Sequence, residues 1–197
     1  MTRISAFMVN KEKIGVFQNI GEKEWWKGKL PENITFFSNM VDLKNSDSKG
    51  YLIITNDQID DEYLIKNSVI YRVPSLVIGI GLHWDTPKET IMNGVSETLE
   101  KFGLNQKEIA RFVSIKKDKD VIGLIELGEE MKIPVEYIDR EELATITTPN
   151  PSKTVQAFEG TASVSEAAAL KSSEGELIVE KQKFPPNLTV AIARIKQ

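Results

Sequence analysis

From Ser75 onward the chain alternates continuous apolar runs with segments whose apolar residues recur every three or four positions. Leu76-Val77-Ile78-Gly79-Ile80-Gly81-Leu82 carries no polar residue, the pattern of a parallel strand buried on both faces. Thr86-Pro87-Lys88-Glu89 follows with three helix-start signals: Thr as N-cap, Pro at the first helical position and Glu three residues after the cap. The helix it opens turns Ile91, Val95, Leu99 and Phe102 to one side, and Gly103 stops it. Asn105 caps a short helix, Phe112 to Ile115 reads as a strand, and Lys119 to Met131 as a helix with Val121, Leu124, Ile125 and Leu127 inward. Pro134 to Ile138 is a further strand, Asp139 caps a turn through Leu143, and the prolines of Thr147 to Ser152 mark a loop. Ser163-Val164-Ser165-Glu166 has the form of a capping box before the alanine-rich helix Ala167-Ala168-Ala169-Leu170. Two strands, Glu176 to Lys181 and Leu188 to Ile195, joined through Phe184-Pro185-Pro186-Asn187, end the pattern as an antiparallel pair.

Upstream the apolar runs are shorter. Ile4 to Val9 and Ile14 to Ile20 read as strands joined by the hairpin-length connection Asn10 to Lys13. Gly21 to Asn33 reads as loop, and Ile34 to Phe37, Tyr51 to Thr55 and Ser68 to Arg72 as small sheet elements. The change of pattern places a domain boundary at Val73-Pro74, where proline favours an extended residue before it. Strands alternating with helices give the α/β class.

Composition narrows the function classes. With 197 residues, 41% of them hydrophobic, the chain has the apolar content to bury a core, so disorder is not expected. A net charge of -4 and a pI near 5.3 argue against a nucleic-acid partner, because that affinity comes from clustered Lys and Arg releasing counterions. The absence of cysteine removes disulfides, thiolate nucleophiles and cysteine metal sites, and suits a reducing, cytoplasmic setting. Met1 to Asn10 lacks the features of a signal peptide, and no stretch reaches the roughly 20 apolar residues that cross a bilayer, so no membrane association is expected.

Candidate chemistry gathers at a few positions, each with a plain alternative. Gly79-Ile80-Gly81, ending a strand before a capped helix, can bind an anion through backbone N–H groups and the helix dipole, or can merely permit a tight turn. A dinucleotide site is disfavoured: Trp84 occupies the place of a third glycine, and the next strand ends in Lys116-Lys117 with no acidic ribose ligand. His83, the only histidine, stands at the tip of the strand and is either a proton carrier oriented by Asp85 or a surface residue. No resident metal is expected, since one histidine without thiols leaves a poor ligand set. Ser163 to Glu166 either caps its helix or offers a second anion contact. Lys181 and Lys183 alternate on one strand face, where they pair with substrate carboxylates or protect an edge. Trp25 and Trp26 read as packing residues.

Several blocks resemble one family in order. Val69 to Gly81 and Thr86-Pro87-Lys88-Glu89-Thr90-Ile91 are similar to the junction between the middle and carboxy-terminal domains of the CbiG family. Pro149-Asn150-Pro151-Ser152, Ser163 to Leu170, Gly175 to Lys183 and Leu188 to Arg194 look like that family and its single-domain relative CobE. Lys13 to Gln18, Trp25-Trp26 and Leu30 to Thr35 are similar to the CbiG middle domain, which CobE lacks. One departure stands out: the family's basic, glycine-containing turn after Gly-Ile-Gly is here Leu82-His83-Trp84-Asp85.

The resemblance implies a small α/β middle domain over 1–73 and a three-layer α/β carboxy-terminal domain with a mixed sheet over 74–197. The family's amino-terminal domain has no counterpart in these residues, so a split gene product or a fragment is expected. It implies a part in corrin-ring construction. Either the chain is a component of a cobalt-precorrin-5A hydrolase that opens a lactone and releases acetaldehyde, or it is a noncatalytic corrinoid-handling module like CobE. The expected partners are a cobalt-corrinoid intermediate and a separate amino-terminal polypeptide, with a homo-oligomer left open. No cofactor is expected, cobalt being carried by the substrate. The site residues that follow are Gly79, Gly81, Thr86, Lys88, Ser163, Ser165, Lys181 and Lys183 for substrate contact and His83 for proton transfer.

Overall fold

The computed structural model describes residues 3–22, 26–151 and 163–196, Arg3 by its backbone alone. The chain divides into two units, Met1–Val73 and Pro74–Gln197. The first contains α1 (Arg3–Val9), β1 (Ile14–Gln18), β2 (Ile34–Phe37), α2 (Met40–Asn45), β3 (Gly50–Ile54), α3 (Glu62–Asn67) and β4 (Ser68–Tyr71). Its four strands are all parallel, in the order β2-β1-β3-β4.

The expected amino-terminal hairpin does not form, and Ile4 to Val9 lies in helix α1. Strand β1 is paired on both sides, with β2 and β3, so it has no free edge for a hairpin partner. As a helix the same apolar residues cover the sheet: a Cβ on Gly50 would meet Phe7 at 2.9 Å and Ile4 at 3.5 Å. The pleat turns alternate residues of β3 to the other face, where Tyr51 and Ile53 form a core with Phe17, Leu43 and Leu64. Two short helices supply Leu43 and Leu64. The Asn39 and Asp61 side chains begin them by accepting from the N–H of Asp42 at 2.8 Å and of Leu64 at 3.0 Å.

The second unit holds β5 (Leu76–Leu82), α4 (Lys88–Lys101), a 3₁₀ turn (Gln106–Glu108), β6 (Ile109–Ile115), α5 (Ile122–Met131), β7 (Val135–Ile138) and α6 (Arg140–Ala144). After these come α7 (Val164–Ser173), β8 (Glu176–Phe184) and β9 (Leu188–Arg194). Its sheet is mixed, in the order β7-β6-β5-β9-β8: β5, β6 and β7 run parallel, and the β8–β9 hairpin joins antiparallel to β5. Helices cover both faces. Leu76, Ile78, Ile80 and Leu82 pack with Ile91, Val95 and Leu99 of α4 and Leu124 and Leu127 of α5. On the opposite face Val77, Val113 and Ile115 meet Leu143 of α6 and Val164, Ala167 and Ala168 of α7.

Helix starts depart from expectation. Helix α4 begins at Lys88 with Pro87, not Thr86, at the N-cap. Thr86 is buried and uses its Oγ1 to donate to the His83 carbonyl at 2.8 Å, closing the turn in place of the cap. Helix α5 begins at Ile122, three residues later than its apolar pattern suggests. Asp139 stands at the N-cap of α6 without a side-chain cap bond. Phe102 lies just beyond the last turn of α4 and is 42% exposed. Among the described residues no helix is long and apolar enough to cross a membrane.

Candidate functional site

Gly79 and Gly81 are not a strand-to-helix turn; they sit inside β5, paired with Ala191 and Thr189 of β9. Their backbones are taken up by the sheet, and their role is space. A Cβ on Gly79 would lie 1.9 Å from the Ser165 carbonyl and 2.8 Å from the Ala169 nitrogen. One on Gly81 would lie 2.5 Å from Thr189 Oγ1 and 3.5 Å from the Ser165 nitrogen. Gly79, opposite the buried alanines of α7, lets the helix lie directly on the strand, while Gly81 leaves room for the Thr189 hydroxyl. The amino-terminal end of α7 is thereby brought to the carboxyl end of β5, the edge where open α/β sheets bind ligands.

A cleft of about 510 Å³ lies there. Gly81 and Leu82 form its floor, Ser163 and Val164 one side, Pro149-Asn150-Pro151 a rim, and Lys181, Lys183 and Thr189 the side toward β8 and β9, with Lys117 at the end of β6. Three lysines facing one cleft create local positive potential in a chain of net charge -4. Burial pushes the Lys181 ammonium below the ordinary lysine range; Glu166 opposes this and neighbouring Lys183 adds to it.

Glu166 organises the cleft, and the capping box does not form. Ser163 is the N-cap of α7 by backbone geometry but makes no side-chain cap bond. The Glu166 carboxylate, fully buried, instead turns inward. It accepts from the Asn150 N–H at 3.2 Å, from Asn150 Nδ2 at 2.8 Å and from the Lys181 N–H at 3.0 Å. Lys181 is free to donate there because the β8–β9 register slips between Val179 and Gln182, leaving an extra residue as a bulge. Its Nζ then reaches the Asn150 carbonyl at 2.5 Å, and Asn150 Nδ2 also donates to Glu180 at 2.9 Å. One buried carboxylate thus fixes both the proline-flanked rim and the strand that carries the lysines.

Thr86, Lys88 and His83 fall outside the cleft lining. Thr86 and Lys88 border a separate depression beside Trp84, which also has the carboxylates of Asp118 and Asp120 in its wall. Lys88 pairs with Glu130 at 2.7 Å, and that hydrogen bond holds its ammonium above the usual range. Gly123 admits the start of α5 at this point, since a Cβ there would meet the Thr86 carbonyl at 2.4 Å. His83 leaves β5 one residue after the cleft floor, and its Nδ1 lies 2.5 Å from Asp85 Oδ1. That contact lowers the Asp85 carboxyl. Of the expected residues, Gly81, Ser163, Lys181 and Lys183 therefore share one cleft, while Gly79 and Ser165 lie in its supporting wall.

Sequence reasoning missed the part played by Asn150 and Glu166. Asn150 was visible only as the centre of Pro-Asn-Pro, and Glu166 was masked by its agreement with a capping box. Trp26 is 38% exposed, so the packing expected of it is only partial. Trp25 and Ser152 lie outside the described residues. Among the described residues no group of three or more His, Cys, Asp or Glu side chains is placed to hold a metal ion.

Residues 76–193 match the family model for the carboxy terminus of cobalamin synthesis G. The chain belongs to this family. A curated relative, the cobalt-precorrin-5A hydrolase of Priestia megaterium, is 30% identical over 199 residues, covering 99% of this chain and 53% of its own length. The chain thus spans about half the length of that relative. Among solved structures, CobE, a protein from the cobalamin biosynthetic pathway, is similar with a TM-score of 0.60 and 27% identity, over 64% of this chain and 97% of CobE. A cobalamin biosynthesis protein G homologue from Sulfolobus solfataricus shares the fold across 98% of this chain and 54% of its own, at 22% identity and a TM-score of 0.51. The chain is a cobalamin-biosynthesis protein of α/β fold, with a parallel sheet followed by a CobE-like mixed sheet.

Proposed function

We propose that this chain is the cleft-bearing component of a cobalt-precorrin-5A hydrolase. In the reaction, water opens the lactone of the cobalt corrinoid, the two-carbon fragment leaves as acetaldehyde, and cobalt-precorrin-5B is formed. Water enters and acetaldehyde leaves, so the balance calls for no redox partner, and cobalt travels with the substrate. The observation that carries the reading is the cleft of Lys117, Lys181 and Lys183 at the carboxyl end of β5 in an otherwise acidic chain. A corrin precursor with many carboxylates needs cationic groups and N–H donors at one place. The relative named for this hydrolysis supports the choice of reaction. His83, outside the cleft lining but one residue beyond its floor and in contact with Asp85, is the proposed proton carrier, and a separate amino-terminal polypeptide the proposed partner.

A second reading is a noncatalytic corrinoid-handling module, and the likeness to CobE over 97% of that protein favours it. Anaerobic incubation with cobalt-precorrin-5A, with and without a CbiG amino-terminal domain, separates the two. Acetaldehyde released only with the added domain supports the hydrolase component. Binding without release under both conditions establishes the handling module. Absence of both refutes the corrinoid assignment.

A further inference from the structure

The amino-terminal turn of α7 borders the cleft. The first amides of a helix have no intrahelical acceptor, and the ten-residue α7 begins at Val164 beside the cleft floor. The two groups that would ordinarily satisfy and neutralise such a turn are not used for it. Ser163 makes no side-chain cap bond, and the Glu166 carboxylate is committed to Asn150 and Lys181. The hydroxyls of Ser163, which lines the cleft, and of Ser165 behind it are buried, at 1% and 0% exposure, and have no hydrogen-bond partner among the described residues. A buried hydroxyl without a partner is costly, so one at a helix start that lines a cleft is placed to take its partner from a ligand. Gly81 keeps the approach open: its missing Cβ would stand 3.5 Å from the Ser165 nitrogen.

We infer that the Ser163 turn is a built subsite for one carboxylate arm of the corrinoid, which binds the turn's amides and the Ser163 hydroxyl while Lys181 and Lys183 face it across the cleft. The inference rests on the function proposed above for the identity of the ligand. The chemistry recognised is a single carboxylate, held by hydrogen bonds and by the positive end of the helix dipole. The lysines confer general attraction to polyanions, whereas this turn fixes the register of one arm. Glu166 is drawn away from the helix start by Asn150 and Lys181, so its charge does not occupy the place of the incoming carboxylate.

The test compares the wild-type chain with Ser163→Ala and, as a control on a hydroxyl outside the cleft lining, Ser165→Ala, titrated by absorbance with cobyrinic acid, a cobalt corrinoid whose side arms are free carboxylates. Tricarballylate titrated by calorimetry is the small-molecule control. A hydroxyl donating to a carboxylate corresponds to about tenfold or more in affinity. The expected result is that Ser163→Ala binds cobyrinic acid at least tenfold more weakly and Ser165→Ala as the wild type does, with Tm unchanged or raised in both, because no cap bond is lost and a buried unpaired hydroxyl is removed. Equal cobyrinic-acid affinity in the wild type and Ser163→Ala overturns the subsite while leaving the corrinoid reading intact. Serine-dependent binding of tricarballylate without binding of cobyrinic acid keeps the carboxylate subsite and refutes the corrinoid reading. A fall in Tm of several degrees in both variants shows the hydroxyls to be structural and overturns the inference, as does a wild type that binds neither probe.

Discussion

Replacing Glu166 by leucine tests whether one carboxylate holds the cleft together. Glu166 is fully buried and accepts three N–H bonds from two other segments of chain, the rim at Asn150 and the bulge at Lys181. Leucine removes the acceptor from the backbone N–H groups of Asn150 and Lys181, while Asn150 Nδ2 keeps Glu180 at 2.9 Å. A hydrogen bond to a charged group is worth about 1.5–3 kcal/mol, and cleft water compensates the two amides only in part. The apolar side chain and the relief of a buried charge return about 1 kcal/mol. A net loss of about 2–3 kcal/mol is expected, or about 6–10 °C in the melting of the second unit. Glu166→Gln keeps one acceptor oxygen and is expected to lose about half as much. Urea and thermal unfolding followed by circular dichroism read the magnitude, and amide exchange at Lys181 reads its origin. A loss under about 0.5 kcal/mol with Lys181 exchange unchanged would refute the latch.

Three further outcomes follow from the same geometry. Gly79→Ala drives a methyl toward the Ser165 carbonyl, 1.9 Å from an ideal Cβ, so a loss of about 3 kcal/mol or more is expected in denaturant unfolding, and a neutral result would mean that α7 lies farther from β5. The Lys181 ammonium is held low by burial, so a carboxylate ligand binds fully below its folded pKa and is released as pH rises through that value. Binding titrations should show this release beginning below the ordinary lysine value of 10.5, with Lys181→Arg carrying it to higher pH; an arginine variant with the same pH dependence would exclude Lys181 as the titrating group. The Asp85 carboxyl is lowered by the His83 contact, and its stabilising effect is present above the unfolded pKa and lost as pH falls through the folded one. His83→Ala should move the Asp85 carboxyl resonance midpoint upward in NMR titration, and an unmoved midpoint would show that the pair does not form in solution.

How much of this was legible in the sequence depended on how far apart the deciding residues lie. Strand β5, the α4 stripe and the β8–β9 hairpin were visible because each is set by a local periodicity strong enough to be read alone. The first unit was harder, because four- and five-residue strands joined by six-residue helices give too few repeats to separate the two periods. Ile4 to Val9 is apolar enough for either assignment, and the double pairing of β1 by β2 and β3 decided it. Nothing local in Ile4 to Val9 announces that pairing.

The candidate site was misread where a local rule agreed with the sequence and a distant contact overrode it. Ser163 to Glu166 satisfies the capping-box spacing, yet the carboxylate finds three donors on Asn150 and Lys181, 16 and 15 residues away, and a buried charge follows its donors. Gly79-Ile80-Gly81 satisfies part of a phosphate-binding pattern, yet what requires glycine is a helix that begins more than 80 residues later. The two features were read as two anion contacts on one crevice, whereas the structure stacks one on the other. Gly79 admits α7, the approach of α7 brings Ser163 to the strand end, and the inward turn of Glu166 places Lys181. The same dependence makes the arrangement separable by experiment: Gly79→Ala should displace helix and cleft together, Glu166→Gln should loosen the rim and the lysine strand while leaving the helix seated, and Ser163→Ala should alter ligand affinity with neither displaced.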